Sequence, residues 1–195
     1  MVSVIIPYNR DRGYLDAAIQ SVHDQTYTNW ELILEHSDKF FGANLNRGVA
    51  KSKGEYIKFL AEDDLLTPDS LAILTEGIKG YDFVYSNAEN FGEIDGWERF
   101  SNDSTTTLKK MLEGNCIHGG TLLYRRDMFI EVGGYDEDLW TAEEYDFHLK
   151  LLKHGYKHRH IPGIVYRYRI HVDNKSQHDR IVRSQYIEQI KKRYV

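Results

Sequence analysis

Residues 54–68 have the sequence GEYIKFLAEDDLLTP, and the rest of the chain is organised around this segment. Its first half, Tyr56-Ile57-Lys58-Phe59-Leu60, is rich in aromatic and β-branched residues and predicts a strand that enters a core. Three acids, Glu62-Asp63-Asp64, end the strand, and Pro68 lies where the first turn of a following helix accepts a proline. Side chains at the carboxyl end of a strand in an open α/β sheet lie in the crevice that binds ligands. The segment therefore predicts a ligand site built on carboxylates.

Adjacent carboxylates repel one another unless a cation or water relieves the repulsion. Hard divalent ions such as Mg²⁺ and Mn²⁺ take oxygen ligands and can bridge to a diphosphate. A solvated acidic turn is the simpler alternative for any three successive acids. The strand before the acids and the helix after them favour a metal site instead.

Composition indicates one globular domain. The chain has 195 residues, 41% of them hydrophobic, which is enough for a core. The single cysteine, Cys116, excludes an intrachain disulfide and a multi-cysteine metal site, and it fits a reducing compartment. No apolar run approaches the roughly 20 residues that span a bilayer, and no signal-peptide pattern opens the chain. We expect a cytoplasmic protein, soluble or at most peripheral at the inner face of a membrane.

Charge is unevenly distributed along the chain. From residue 150 onward there are 12 Lys and Arg against 3 Asp and Glu, although the whole chain has a net charge of −5. A basic C-terminal segment on an acidic body could neutralise phosphate near a metal site or contact an anionic membrane surface. A solvated basic helix face is the alternative.

Hydrophobic periodicity indicates the element order. In the first half, strands are predicted at 2–6, 30–34, 56–60 and 81–86, and helices at 12–24, 42–52 and after Pro68. This alternation predicts a parallel sheet wound in βαβ units. In the second half we predict an irregular hairpin at 91–100, a polar loop at 101–107, helices at 108–113, 127–132, 141–154 and from 179, and strands at 121–124, 156–161 and 164–168.

The chain resembles the inverting, metal-dependent glycosyltransferases of the GT-A fold known as glycosyltransferase family 2. The resemblance runs from end to end and depends on the order and spacing of its segments rather than on one motif. It implies an α/β fold with a Rossmann-like, mostly parallel central sheet flanked by helices in a single domain, 1–195. Residues 1–87 would form the nucleotide-sugar and metal half, and 88–195 the acceptor half with the C-terminal helix. The matching segments are 2–9, 21–27, 54–68, 132–136, 142–146 and 166–171.

The resemblance also implies the metal ligands. Asp63 matches the main metal-binding Asp of the family and would bridge the donor diphosphate through Mn²⁺ or Mg²⁺. The adjacent Asp64 would be a further metal ligand or a contact to the ribose. His171 matches a His that binds metal in some relatives. Ala61 replaces the first Asp of the family motif, and Glu62 beside it is a possible substitute.

Nucleobase recognition is expected to differ from the family pattern. The opening motif is one residue shorter than usual, and two Asp residues that normally follow the second strand are absent, so uridine is not implied. The residues expected around the nucleotide sugar are Pro7, Tyr8, Asn9, Glu35, His36, Asp38, Arg47, Glu62 and Asp63.

Glu144 matches the Asp that acts as catalytic base in the family, and Glu143 is the second candidate. A carboxylate there would remove the proton of the acceptor hydroxyl as its oxygen attacks the anomeric carbon. The nucleoside diphosphate leaves from the opposite face, so a single displacement inverts the configuration. Acids in the first turn of a helix are also favoured by the helix dipole alone, which is the structural alternative.

Residues 115–120 fall where relatives line the acceptor pocket. Gly119 and Gly120 would let a sugar approach the backbone, and His118 could hydrogen-bond a hydroxyl. Trp140, just before the base helix, could stack on a sugar ring, although a Trp there is often part of a core.

The expected reaction is transfer of a sugar from a nucleotide-diphosphate sugar to a glycan, polysaccharide or lipid-linked acceptor. The alternative is a catalytically impaired nucleotide- or glycan-binding module, because Ala61 and Glu144 depart from the family pattern. A nucleotidyltransferase is disfavoured because residues 7–13 lack a glycine-rich phosphate loop. Nucleic acid is not an expected partner, since the body is acidic and the basic tail has no known motif. The C-terminal helix is expected to pack on the body, with dimerisation and membrane contact as alternatives.

Overall fold

The computed structural model describes residues 1–38, 40–93, 98–99, 106–172, 174 and 180–195. The strands are β1 (Val2–Tyr8), β2 (Trp30–His36), β3 (Tyr56–Phe59), β4 (Leu65–Leu66), β5 (Phe83–Gly92), β6 (Glu98–Arg99), β7 (Leu123–Arg125) and β8 (His158–Ile170). The helices are α1 (Leu15–His23), α2 (Phe41–Lys51), α3 (Ser70–Gly77), α4 (Leu108–Glu113), α5 (Arg126–Glu131), α6 (Glu143–Lys153) and α7 (Arg180–Lys191), and a short 3₁₀ helix covers Gly119–Thr121.

One sheet runs in the order β2-β1-β3-β7-β5-β8-β4, with β6 paired to β5. Strands β2, β1, β3, β5 and β8 point in one direction, because β7 is antiparallel to both of its neighbours and β5 is parallel to β8. The predicted α/β fold with a mostly parallel central sheet is therefore confirmed. Reversed strands β7 and β4 interrupt the simple βαβ winding that alternation alone suggested.

Both faces of the sheet are buried, as expected when helices cover a parallel sheet on each side. Successive residues of β1 point to opposite faces, so Val4 and Ile6 lie in one apolar cluster while Ile5 lies in the other. Helices α1 and α3 contribute to the first cluster, and α2, α4, α5 and α6 to the second. The described helices and the sheet thus form three layers, and the site lies at one edge of the middle layer.

The last strand differs from the sequence expectation. Two strands were predicted at 156–161 and 164–168, but β8 is one strand that continues through Pro162 and Gly163. Its pairing with β5 shifts register near Asn87, and the Ser86 hydroxyl lies 2.7 Å from the carbonyl oxygens of Ile161 and Gly163. This local bulge accommodates the proline and glycine without ending the strand.

The predicted hairpin at 91–100 is described only in part. Strand β5 extends to Gly92 and pairs with β6, whereas residues 94–97 and 100 of the hairpin, and 101–105 of the predicted loop, lie outside the described residues. The C-terminal helix packs on the body. Ile190 is fully buried, and the Arg193 guanidinium contacts Asp136 at 2.8 Å and Asp146 at 3.2 Å.

Candidate active site

The acidic turn after β3 holds its two aspartates in different environments. Asp64 is 2% exposed; the Tyr166 hydroxyl and the Arg169 backbone N–H each donate to its carboxylate at 2.7 Å. Burial raises the pKa of Asp64 well above its usual value, Asp63 raises it further, and the two hydrogen bonds oppose the rise. Both carboxylate oxygens of Asp64 are thus engaged in tying the turn to β8.

Asp63 faces the solvent more than its neighbour does. One of its carboxylate oxygens lies 2.9 Å from Nε2 of His171, and the Arg169 side chain donates to its backbone carbonyl at 2.7 Å. The structure therefore brings together two of the residues predicted to bind metal, although they are 108 positions apart in sequence. Among the described residues, no group of three or more His, Cys, Asp or Glu side chains is arranged to hold a metal ion.

Glu62, the suggested substitute for the missing Asp, is paired with Arg12 at 2.5 Å and is mostly buried. Burial raises the pKa of the Glu62 carboxyl to about 7, and the nearby Asp63 carboxylate adds to the rise, whereas Arg12 opposes it. The contact places Glu62 against the loop after β1.

A second wall of the site is formed by the first turn of α6. Ala142, the residue before the helix, has a left-handed backbone with φ of 62°, which is uncommon for a residue with a side chain. Glu143 is buried and Glu144 is half-buried. The Glu144 carboxylate lies directly against Gly119: a Cβ built on that glycine would be 2.1 Å from Oε2 of Glu144.

A cavity of about 460 Å³ joins the two walls. It brings together seven of the predicted site residues, which are Asp63, Asp64, His118, Gly119, Gly120, Glu143 and Glu144. The other lining residues are Phe41, Phe59, Ala61, Asn115, Cys116, Ile117, Thr141, Ala142, Tyr166, Tyr168, Asn174 and Arg183. Both candidate bases therefore share one cavity with Asp63, the main predicted metal ligand.

The remaining predicted residues lie outside this lining, and most of them group at the ends of β1 and β2. Pro7 pairs with Glu35 in the parallel register, and the rings of Tyr8 and His36 lie 4.8 Å apart. Because β1 is between β2 and β3, these strand ends are at the same edge of the sheet as the acidic turn. Asn9 and Asp38 are exposed nearby.

Glu35 and Arg47 bind each other at 2.7 Å, and Lys51 is 2.5 Å from the second oxygen of Glu35. This ion pair already engages two residues that the sequence assigned to the nucleotide. Trp140 is half-buried and likewise lies outside the described lining of the cavity.

Sequence reasoning missed several residues of the site. Tyr166 and Tyr168 on β8, Asn174 and Arg183 line the cavity, and Lys58 lies fully buried beside it. A lysine in the middle of an otherwise apolar strand was a usable signal for Lys58. Arg183 had only a weak signal, the basic character of the C-terminal segment.

We expect Gly119→Ala to reduce catalysis without unfolding the protein. The added methyl group would meet the movable end of the Glu144 side chain rather than backbone, so the carboxylate would be displaced. Displacing a reacting group by about 1 Å can cost roughly a hundredfold in rate. The measurement is kcat for nucleotide release together with the melting temperature.

Gly114→Ala is the matched control, since a Cβ there meets nothing within 4 Å. Gly120→Ala is the opposite case, because its Cβ would lie 2.4 Å from the buried ring of Tyr166 and should lower the melting temperature. Unchanged kcat in Gly119→Ala would contradict the placement of Glu144.

A family model described as Glycosyl transferase family 2 matches residues 32–133, which is more than half of the chain. The chain belongs to glycosyltransferase family 2. The matched segment runs from β2 to Gly133 and includes the acidic turn, so the predicted family membership is confirmed. Helix α6, with Glu143 and Glu144, follows the matched segment.

Several curated glycosyltransferases are similar to this chain but longer. The chain is 28% identical over 187 residues to an uncharacterized glycosyltransferase of Rickettsia typhi, covering 78% of this chain and 59% of the relative. An uncharacterized glycosyltransferase of Rickettsia felis is 29% identical over 189 residues, and the match covers 78% of this chain and 31% of that relative. The uncharacterized glycosyltransferase YwdF of Bacillus subtilis is 27% identical over 223 aligned positions, covering 98% of this chain and 82% of YwdF. The chain thus spans less than two thirds of both Rickettsia relatives.

The fold is also that of Staphylococcus aureus TarS. The structure of TarS 1–349 in complex with UDP-GlcNAc superposes with a TM-score of 0.74 at 15% identity, covering 87% of this chain and 58% of that chain. A complex of TarS 1–349 with UDP gives a TM-score of 0.73. At this identity the similarity establishes the GT-A fold of this family 2 chain. Of the helices that the structure describes, none is both long and apolar enough to span a membrane.

Proposed function

We propose that this family 2 chain is an inverting glycosyltransferase that moves a sugar from a nucleotide-diphosphate sugar to an acceptor hydroxyl. The observation that supports the proposal is the shared cavity, with Glu144 on one wall and Asp63 on the other. A displacement at the anomeric carbon needs a proton acceptor on one side of the sugar and a diphosphate anchor on the other. We assign these two roles to Glu144 and Asp63 because both side chains line the same cavity.

Glu144 is the proposed base. The acceptor oxygen loses its proton to the Glu144 carboxylate and forms a bond to the anomeric carbon, while the bond from that carbon to the β-phosphate oxygen breaks. The nucleoside diphosphate leaves with the electron pair. Glu143, which also lines the cavity but is more deeply buried, is the second candidate.

Asp63 and His171 are the proposed metal ligands. A carboxylate oxygen and an imidazole nitrogen 2.9 Å apart fit a divalent ion that takes its other ligands from water and phosphate, as Mg²⁺ and Mn²⁺ commonly do. Such an ion, when bound, would stabilise the negative charge of the departing diphosphate. Asp64, with both oxygens hydrogen-bonded to β8, would hold the turn that presents Asp63.

The acceptor is proposed to enter past His118, Gly119 and Gly120, which lie beside Glu144. Arg183 of α7 contributes a permanent cation to the same lining and would face phosphate on the donor or on a lipid-linked acceptor. A glycan, polysaccharide or lipid-linked acceptor, and contact of α7 with the inner face of a membrane, remain predictions from the sequence.

The test is a calorimetric panel of UDP-, GDP-, dTDP- and CMP-sugars, each with and without Mn²⁺. UDP-GlcNAc is the first donor to try, because TarS, which shares the fold, has been seen with it. We expect one nucleotide class to bind more tightly with Mn²⁺ than without it, followed by release of the free nucleotide when an acceptor is added.

Two other outcomes would change the proposal. Binding of a nucleotide sugar without any nucleotide release, across a screen of glycan acceptors, would favour the alternative of an impaired binding module. Absence of binding by every donor at millimolar concentration would contradict the donor assignment.

A further inference from the structure

Lys58 is a fully buried lysine that the proposed mechanism does not use. It lies in the middle of β3, between strands β1 and β7, and its side chain is fully buried. Lys58 is not among the described residues that line the cavity. A lysine is rarely buried so completely unless its ammonium group has specific partners.

The ammonium group of Lys58 has two such partners. It donates a hydrogen bond to the carbonyl oxygen of Gly120, and it lies 5.1 Å from the centre of the Tyr166 ring. Gly120 and Tyr166 also touch each other, because a Cβ on Gly120 would be 2.4 Å from ring atoms of Tyr166. The three residues therefore form one packed unit beneath the cavity.

Each of the two partners, Tyr166 and Gly120, is connected to one of the acidic walls of the cavity. The Tyr166 hydroxyl donates to Asp64 at 2.7 Å, and Asp64 is part of the turn that presents Asp63. Gly120 follows Gly119, whose backbone is packed against the Glu144 carboxylate. Lys58 thus contacts Tyr166, which holds the Asp63–Asp64 turn, and Gly120, which lies next to the glycine packed against Glu144.

Stability alone does not account for this lysine. Burial lowers the pKa of the Lys58 ammonium to about 7, and the carboxylates of Glu144 and Asp64 only partly oppose this. Replacing a whole buried ion pair with apolar side chains of similar volume is often neutral or stabilising, so burial of an ammonium group is weak evidence for a purely stabilising role. A lysine that is buried despite this unfavourable desolvation, and that lies near the carboxylates of Glu144 and Asp64, indicates a role in the site.

We propose that Lys58 is a positioning residue that sets the distance between the Asp63–Asp64 turn and the Glu144 carboxylate, through the Tyr166 ring and the Gly120 carbonyl. This inference rests on the proposed function. Lys58 itself does not touch substrate in this arrangement; it keeps the proton acceptor and the diphosphate anchor at the spacing that one displacement requires.

The experiment compares wild type with Lys58→Met, which keeps an unbranched side chain one atom shorter and removes its charge and donors. The assay measures UDP released from UDP-GlcNAc with Mn²⁺, and the donor KM is determined separately from kcat. We expect kcat to fall roughly 10–100-fold, the range usual for residues that orient catalytic groups, with little change in donor KM. The melting temperature should fall only slightly, because Met fills most of the same space although the Gly120 carbonyl loses a donor.

A second readout does not depend on activity. The backbone N–H groups of Gly120 and Thr121 donate to His118, and their hydrogen exchange should become faster when the Lys58 bond to Gly120 is lost. Lys58→Gln, which keeps an N–H donor but no charge, provides the same two readouts if the Met variant does not fold.

Lys150→Met is the matched control. The Lys150 ammonium also donates to a glycine carbonyl, that of Gly134 at 2.9 Å, and lies 5.9 Å from the Phe147 ring centre, but outside the cavity lining. Equal losses of kcat in both variants, or a Lys58→Met enzyme with wild-type kcat and unchanged exchange, would overturn the inference. If wild type releases no UDP, the proposed function fails for this donor, and exchange at Gly120 and Thr121 alone decides whether Lys58 holds the segment.

Discussion

Replacing Glu144 with Gln should lower kcat for sugar transfer by about 10²–10⁴-fold, the usual contribution of a positioned general base. Gln keeps the size and the hydrogen-bonding reach of the side chain but cannot accept the acceptor proton. Donor binding should be unchanged, because the Asp63 side of the cavity is untouched. The measurements are single-turnover nucleotide release and calorimetric binding of the same donor.

The Glu144 experiment has two companions. Glu143→Gln tests the second candidate base, and a larger loss of kcat in that variant than in Glu144→Gln would reverse the assignment. Glu131→Gln is the control. Glu131 is exposed at the end of α5 and does not line the cavity, so this substitution removes the same charge away from the site.

Replacing Asp63 with Asn should abolish the enhancement of nucleotide binding by Mn²⁺. Asn has a similar shape but lacks the negative charge that a divalent ion requires, and it leaves His171 as the only proposed protein ligand among the described residues. We expect the Kd for UDP in the presence of Mn²⁺ to rise roughly 10–100-fold. Isothermal titration calorimetry of wild type and variant, each with Mn²⁺ or with EDTA, checks this.

EDTA should weaken UDP binding by wild type to the level of the variant, and should leave the variant itself unchanged. Asp16→Asn is the matched control, because Asp16 is an exposed acid in the first turn of α1. An Asp63→Asn protein that still binds UDP more tightly with Mn²⁺ would show that other residues hold the metal.

The predicted fold agrees well with the structure wherever local patterning decides the outcome. The alternation of apolar runs located β1, β2 and β3 within two residues at each end, and the acids after β3 marked the correct edge of the sheet. The continuous β8 was predicted as two strands because Pro162 and Gly163 usually end a strand. The Ser86 hydroxyl that accommodates them is contributed by a different strand, 75 positions away from Ile161.

Many residues of the candidate site were predicted from the sequence, but not which of them lie together in one cavity. The resemblance to family 2 supplied Asp63, His171, Gly119 and Glu144, and the structure places all but His171 in the lining of one cavity, with His171 bonded to Asp63. The residues predicted to contact the nucleobase do not line that cavity. Glu35 is instead engaged by Arg47 and Lys51, a pairing that requires α2 to pack beside β2.

The layered α/β architecture and the place of the carboxylates at a strand end could be predicted from the sequence alone, because hydrophobic period and strand-to-helix boundaries are properties of neighbouring residues. Three features became visible only in the folded chain: which carboxylates share a cavity, the presence of Arg183 in its lining, and the burial of Lys58 next to it. The contacts of Lys58 with Gly120 and of Asp64 with Tyr166 join residues 62 and 102 positions apart. Such contacts depend on how the helices pack on the sheet, and no local pattern encodes that packing.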